Sequence, residues 1–300
     1  MSKVIVEEHK NQALHSAKRN NNDEFYTTRK DIDQELIHYH DQLKGKVIYC
    51  NCDNYKHSEF FNYFKDNFDV IKPKKVIFTY LSGTNKVKKA TISKKGVKVK
   101  TIKSTGSFDS PESIEILKKS DIVITNPPFS MFRAFISLPI QYNKDYLIIG
   151  SYLGVTAIPV VPHAIDGTHK VGYTKPTLFV TPGGSIEKLG IVEWHTTLEN
   201  NPETRPFGTY DYNIEDYRYY DNTNILSCDT MKSIPLDYTG YMGVPLSIFC
   251  RYDCSRHKIH ELIKKPIIDG RQKFKRVLIR LKKKERRKLA NSNKNSKQKA

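Results

Sequence analysis

Two consecutive prolines stand directly behind a run of apolar, mostly β-branched residues: Ile122-Val123-Ile124-Thr125 leads into Asn126-Pro127-Pro128-Phe129. Such a run suits a strand buried on both faces, as in a parallel sheet. A prolyl nitrogen carries no N–H for a sheet ladder, so the strand must stop where the prolines begin. Beyond them Met131, Phe132, Phe135 and Ile136 recur at helical spacing. The stretch therefore reads as strand, stiff loop, helix. That order belongs to α/β sheets, in which ligands gather at the carboxyl ends of the strands.

The loop itself has a chemical reading. An exocyclic amine on an aromatic base is a poor nucleophile, because its lone pair is delocalised into the ring. An Asn side-chain oxygen and a backbone carbonyl can accept its two N–H bonds and draw the nitrogen toward tetrahedral geometry. Pro127 and Pro128 hold the loop stiff and add no competing N–H, and Phe129 offers a face on which a base can stack. Asn126, Pro127, Pro128 and Phe129 are thus the candidate catalytic residues. Alone, such a tetrapeptide is more simply a turn; its place after a buried strand favours the chemical role.

The rest of the amino-terminal half repeats the same grammar. A helix is expected from about Asp31 to Leu43, closed by Gly45, and a short buried strand at Val47-Ile48-Tyr49-Cys50. A helix over Ser58 to Phe68 and a strand at Val76 to Tyr80 follow, giving a parallel βαβ unit. Asn51-Cys52-Asp53 then shares a sheet edge with Asn126 to Phe129. Residues 84–103 look like a hairpin turning at Lys95-Gly96 with one lysine-lined face. It reads equally as a grip on a nucleic-acid backbone or as an edge shielded by lysines. Ser110 caps a helix from Pro111 to Lys119, and Tyr146 to Gly150 is the next strand. Beyond Gly150 the periodicity breaks into short strand-like runs such as Thr177 to Val180 and Gly190 to Trp194. Pro266 to Arg271 and Lys275 to Ile279 are expected to pair as a hairpin on Asp269-Gly270.

Charge narrows the partners. The net charge of +18 is concentrated: residues 271–300 carry +13 and residues 72–103 carry +11, leaving −6 for the remainder. Two basic segments on a mildly acidic body point to a polyanion, nucleic acid before membrane. No apolar stretch approaches the roughly 20 residues that span a bilayer, and the charged first ten residues lack a signal-peptide core, so a cytoplasmic location is expected. The five cysteines (Cys50, Cys52, Cys228, Cys250 and Cys254) have neither the even number of a disulfide framework nor the spacing of a zinc knuckle, and no metal is expected.

From about Asp23 to Ile279 the chain resembles the EcoRI-type adenine-specific DNA methyltransferases, the modification partners of restriction enzymes. The resemblance is carried, in order, by Asp23 to Thr27, Tyr49 to Asp53, Asp121 to Ser130, Leu147 to Gly150, Trp194 to Leu198 and Tyr241 to Val244 with Pro245. It implies an α/β fold with a Rossmann-like sheet that binds S-adenosylmethionine (SAM), joined to an irregular, β-rich target-recognition region. It implies methyl transfer from SAM to N6 of an adenine flipped out of double-stranded DNA, with a restriction endonuclease acting on the same site without direct contact. By the same resemblance Phe25, Tyr26 and Thr27 close over the methionine end of SAM. Asn51, Cys52 and Asp53 form its first loop, and Phe108 stacks on its adenine. The implied organisation is a polar mobile arm over 1–22 and a SAM-binding catalytic core over 23–150. A recognition region that also completes the sheet covers 151–281, and a disordered basic tail 282–300.

The chain also departs from common SAM-binding patterns. Asn51-Cys52-Asp53 replaces a Gly-rich turn, Thr79-Tyr80-Leu81 supplies no acid for the ribose, and Ser107 stands beside Phe108 where the family has an acid. Other readings therefore stay open. Phe25 and Tyr26 also suit a core, Asp53 also suits a helix cap, and Trp194 and His195 suit packing. A methyltransferase acting on RNA or a protein amide, or a DNA-binding protein without catalysis, would keep many of the same residues. Arg205, Arg218, Arg251 and Arg256 lie in the recognition half and receive no role.

Overall fold

A computed structural model describes residues 25–82, 86–181, 183–208, 210–250 and 252–297. The expected arm over 1–22, the start of the 84–103 hairpin and Arg251 lie outside the described residues. The chain divides into two compact units. The first takes the described residues up to Val160 and Thr168–Pro202; the second takes Val161–Gly167 and those from Glu203 on. The boundary expected at 150 falls inside a strand of the first unit.

In the first unit strand β1 (Tyr26–Thr27) leads into helix α1 (Arg29–Leu36), which continues as short turns to Leu43. Strand β2 (Val47–Cys50), helix α2 (Glu59–Asp66) and strand β3 (Lys75–Ser82) form the expected parallel βαβ unit. β4 (Lys86–Ser93) and β5 (Gly96–Ile102) then run as an antiparallel extension of the sheet. Helix α3 (Pro111–Lys118), β6 (Ile122–Thr125), helix α4 (Phe132–Gln141) and β7 (Asp145–Ser151) resume the parallel pattern. β8 (Lys170–Val171) and β11 (Val192–Thr196) close the far edge, antiparallel. Among the described residues the sheet order is β5-β4-β3-β2-β6-β7-β11-β8, a mixed eight-stranded sheet. Between β8 and β11, strands β9 (Leu178–Val180) and β10 (Ile186–Lys188) join β1 in a separate small sheet.

The strands are apolar on both faces, so both faces need cover. Ile48, Cys50, Phe78, Ile122 and Ile124 pack with Ile32, Leu36, Phe60 and Phe64 of α1 and α2. The alternate residues Tyr49, Ile77, Val123, Tyr146 and Ile148 pack with Ile116, Leu117, Phe132 and Ile136 of α3 and α4. Helix starts follow their caps: the side chains of Thr28, Ser58 and Ser110 accept from Asp31, Phe60 and Ser113 N–H, with Pro111 at the first position. Gly150 is needed for a close approach, since a Cβ there would stand 2.1 Å from the Phe132 ring.

The second unit holds β12 (Arg218–Tyr219), β13 (Leu226–Ser227), β14 (Met242–Val244), β15 (His257–Ile263) and β18 (Arg276–Leu281), ordered β12-β13-β14-β18-β15, with a hairpin of β16 (Ile267–Ile268) and β17 (Arg271–Gln272). Here two expectations are corrected. The Asp269-Gly270 turn does form, with φ of 51° and 68°, but it pairs Ile267–Ile268 with Arg271–Gln272. The run from Arg276 lies instead between β14 and β15. Val277, Leu278 and Ile279 are all buried, and a strand apolar on both faces belongs inside a sheet. The expected disordered tail contains helix α5, Lys283–Lys297. Its Lys, Arg, Leu and Ala residues favour helix, and Glu285 near its start pairs with Lys288 at 2.9 Å and Arg256 at 3.6 Å.

Glu35 is wholly buried on α1. Its carboxylate accepts from Tyr39 Oη and Tyr173 N, both at 2.8 Å, and from Thr174 N and Oγ1, both at 2.6 Å. Glu35→Ala strips these four donors, one buried and three partly buried, of their acceptor, and we expect it to lower stability by about 2–4 kcal/mol in urea unfolding. An unchanged midpoint would show that the donors find other partners.

Candidate active site

β2 connects to β3 on one side of it in the sheet, while β6 lies on the other. The order reverses between β2 and β6, and at such a point the loops leaving the two strands part and leave a crevice. A cavity of about 420 Å³ opens there. Asn51, Cys52 and Asp53 line it from the end of β2, and Asn126 and Pro128 from the end of β6. Phe25, Tyr26 and Thr27 of the entering segment and Phe108 of the loop before α3 complete the wall. Nine of the residues singled out from sequence thus meet at one cavity. Pro127 and Phe129 are outside its lining: Pro127 is buried, and Phe129 packs at 5.8 Å from Phe25 and 5.9 Å from Phe179, ring to ring.

A hydrogen-bonded chain ties the two loops together. The Asp53 carboxylate accepts from Ser58 Oγ at 2.9 Å and from Thr125 Oγ1 at 2.8 Å. Cys52 Sγ lies 2.7 Å from Thr125 Oγ1 and donates to the Asn126 carbonyl at 3.5 Å. Asp53 therefore does not cap α2; Ser58 does, and Asp53 holds the hydroxyl of Ser58. Burial pushes the Asp53 carboxyl up to about 6 from an ordinary 3.8, with the bonds from Thr125 and Ser58 pulling the other way.

Asn126 Nδ2 donates to the Phe25 carbonyl oxygen and to Thr27 Oγ1, the latter at 3.0 Å. Its Oδ1 is buried and has no hydrogen-bond partner among the described residues, and the same is true of Asn51 Oδ1. Buried acceptors are rarely left open, and both of these side chains face a cavity of ligand size. Phe108 stacks on Phe135 with centroids 4.0 Å apart and planes at 20°. Around these, Tyr80, Glu59 and Met131 also line the cavity and were not singled out from sequence. Tyr80 stands on the strand where an acid was expected. Glu59 follows the Ser58 cap, where helices favour acids for other reasons, so its type was no guide. Trp194 is fully buried and meets Phe60 edge-on at 6.1 Å, a packing residue. His195 is buried too, with Nδ1 3.1 Å from His169 Nε2 and Nε2 3.0 Å from the Ser151 carbonyl.

Asp53 also sets a pH dependence. A folded carboxyl held near 6 binds its proton more tightly than the unfolded chain does. Its stabilising contribution is therefore full below about pH 4 and lost as pH rises through about 6. Asp53→Asn, uncharged throughout, should gain on the parent between roughly pH 4 and 7, by up to about 3 kcal/mol. Melting temperatures of both proteins across that range test this; a difference independent of pH would contradict it.

A model of the family described as adenine-specific methyltransferase EcoRI matches residues 13–163 and 165–300. The chain is 32% identical to the Type II methyltransferase M.EcoRI of Escherichia coli, over 90% of this chain and 96% of that protein. It is 33% identical to M.MgeORF184P of Mycoplasma genitalium, over 83% and 86% of the two chains. It is 32% identical to M.MpnI of Mycoplasma pneumoniae, over 82% and 83%, and both are also named Type II methyltransferases. No solved structure matches the chain.

Proposed function

The chain belongs to the EcoRI family of adenine-specific methyltransferases, and on that premise we propose that it methylates N6 of an adenine, flipped out of double-stranded DNA, at a specific site with SAM as donor. The observation that carries this reading is Asn126, a side chain that lines the cavity and whose buried Oδ1 has no hydrogen-bond partner among the described residues. The sheet order, reversing between β2 and β6, supports a Rossmann-like arrangement with its ligand at the reversal.

The residues present fit SAM. The cavity has the volume of a small-molecule site, Asn51 Oδ1 is an open acceptor, and Phe108 offers a ring for the adenine. Phe25 and Tyr26 with the Asn51 to Asp53 loop would hold the methionine end, while the Thr27 hydroxyl behind them is taken by Asn126 Nδ2. Thr79-Tyr80-Leu81 lacks the ribose acid, but Glu59 of α2 lines the same cavity as Tyr80. Bound there, SAM supplies an electrophilic methyl group on a cationic sulfur.

The loop holds the target amine. Asn126 Oδ1 accepts one of its N–H bonds. Of the nearby loop carbonyls, that of Asn126 already takes the Cys52 thiol and that of Pro128 takes Met131 N–H at 2.9 Å. Each of these oxygens keeps a second lone pair, and a backbone carbonyl of this loop would accept the second N–H. With both hydrogens drawn into the loop, the nitrogen lone pair is freed from the ring and directed toward the methyl group. The half-buried Phe129 offers an edge or face to the extruded base.

Transfer of label from tritiated SAM to unmethylated duplex DNA tests the reading. We expect Asn126→Ala to slow transfer by roughly a hundredfold or more; label in RNA or protein and none in DNA would contradict it. The hairpin offers a second test. Lys89 and Lys100 are paired across β4 and β5, with Lys98 beside them opposite Thr91. Burial and the charges of Lys75, Lys100 and Lys119 lower the pKa of Lys89, the mark of crowded cations that favour an anion. If these lysines grip the DNA backbone, replacing Lys98 and Lys100 by Ala should reduce the slope of log affinity against log salt by about 2. An unchanged slope assigns them to protection of the sheet edge.

A further inference from the structure

A primary amide can receive an amine's N–H in only one of its two orientations, with oxygen forward. Its nitrogen and oxygen ends are nearly equal in size, so packing does not choose between them; hydrogen bonding must. At Asn126 the choice is made by a segment about a hundred residues earlier in the chain. Nδ2 meets the Phe25 carbonyl oxygen, which can only accept, and Thr27 Oγ1 at 3.0 Å. The reversed amide would set oxygen against oxygen at Phe25. Oδ1 is thereby left as a buried acceptor without a partner among the described residues, on a side chain that lines the cavity.

The segment is itself held in place. Thr27 pairs with Phe179 across β1 and β9, and Phe25 packs its ring 5.8 Å from that of Phe129 and 6.5 Å from that of Phe179. Thr28 caps α1 one residue later. Thr27 is 5% exposed, so its hydroxyl competes with little water for the amide. These contacts fix the position of two acceptors that do not otherwise belong to the catalytic loop.

We propose that Thr27 and the Phe25 backbone carbonyl are positioning groups for the transfer step, locking the Asn126 amide with Oδ1 toward the target amine. The segment closing the cavity then governs the rate of methyl transfer, beyond any hold it has on the cofactor. The inference rests on the reading of Asn126 as the amine's acceptor.

Thr27→Val is close in shape and removes only the acceptor; Thr27→Ala removes it with no chance of a clash; Thr27→Ser keeps it. Each full-length protein is assayed for single-turnover transfer of tritiated methyl to unmethylated plasmid DNA at saturating SAM, for SAM affinity by calorimetry, and for melting temperature. The expected result is a rate lowered roughly tenfold or more in both Thr27→Val and Thr27→Ala. SAM affinity should stay within about twofold, and Thr27→Ser should recover most of the rate. Combined with Asn126→Ala, Thr27→Ala should cost nothing further, because the group it orients is gone. A full rate at saturating SAM in Thr27→Ala, with weakened SAM affinity, overturns the inference and makes Thr27 a cofactor contact. Losses that add in the double variant overturn it as well. Undiminished transfer by Asn126→Ala alone would instead remove the underlying reading of Asn126, so the two failures are distinguishable.

Discussion

Glu35 ties the first unit's irregular segments to its regular ones. Its four accepted hydrogen bonds fasten the chain at Tyr173 and Thr174 to α1, and Asp31, one turn earlier, accepts from Leu178 N. Those residues lead directly into β9, whose Phe179 meets both Phe25 and Phe129. A buried carboxylate thus sets where an aromatic wedge stands, and the wedge sets how the entering segment lies on the loop of Asn126 to Phe129. Gly172 completes the arrangement: a Cβ there would lie 2.2 Å from Glu35 Oε1. Carbonyls or hydroxyls at that point could not satisfy four donors at once, whereas a carboxylate has the lone pairs to do so.

A second set of bonds makes the cavity one object. Asp53, Ser58, Thr125 and Cys52 link the loop after β2, the start of α2 and the last residue of β6. The loop after β2 and the loop after β6 therefore share a floor, and a shift in one is transmitted to the other through short contacts. The elevated Asp53 carboxyl is the cost of burying that link where water cannot solvate it.

The charge distribution complements this site. The cavity wall carries aromatic and amide groups, with Asp53 and Glu59 as its acids, while in the same unit lysines are grouped on the edge hairpin. Cations placed away from the reacting centre attract a polyanion without competing with a cationic methyl donor for the same space.

The local grammar was legible in the sequence. Apolar runs ended by Asn126-Pro127-Pro128 and by Asn51-Cys52-Asp53, together with the Ser110 cap, located the parallel strands, the helices and the sheet edge at which the cavity opens. Period, propensity and proline geometry are properties of neighbouring residues, so a single chain displays them. The hairpin at Asp269-Gly270 shows the limit: the turn was readable, but its partner was not, because only burial on both faces sends Arg276–Leu281 into the middle of another sheet. The terminal helix was missed because polar, repetitive composition was weighed above helix propensity. In the loop after β6 the sequence determined that an amide stands beside two prolines. Which end of that amide faces the cavity was decided by Phe25 and Thr27. The physical reason is that an amide's orientation depends on the partners brought to it through space, and its own identity carries no trace of them.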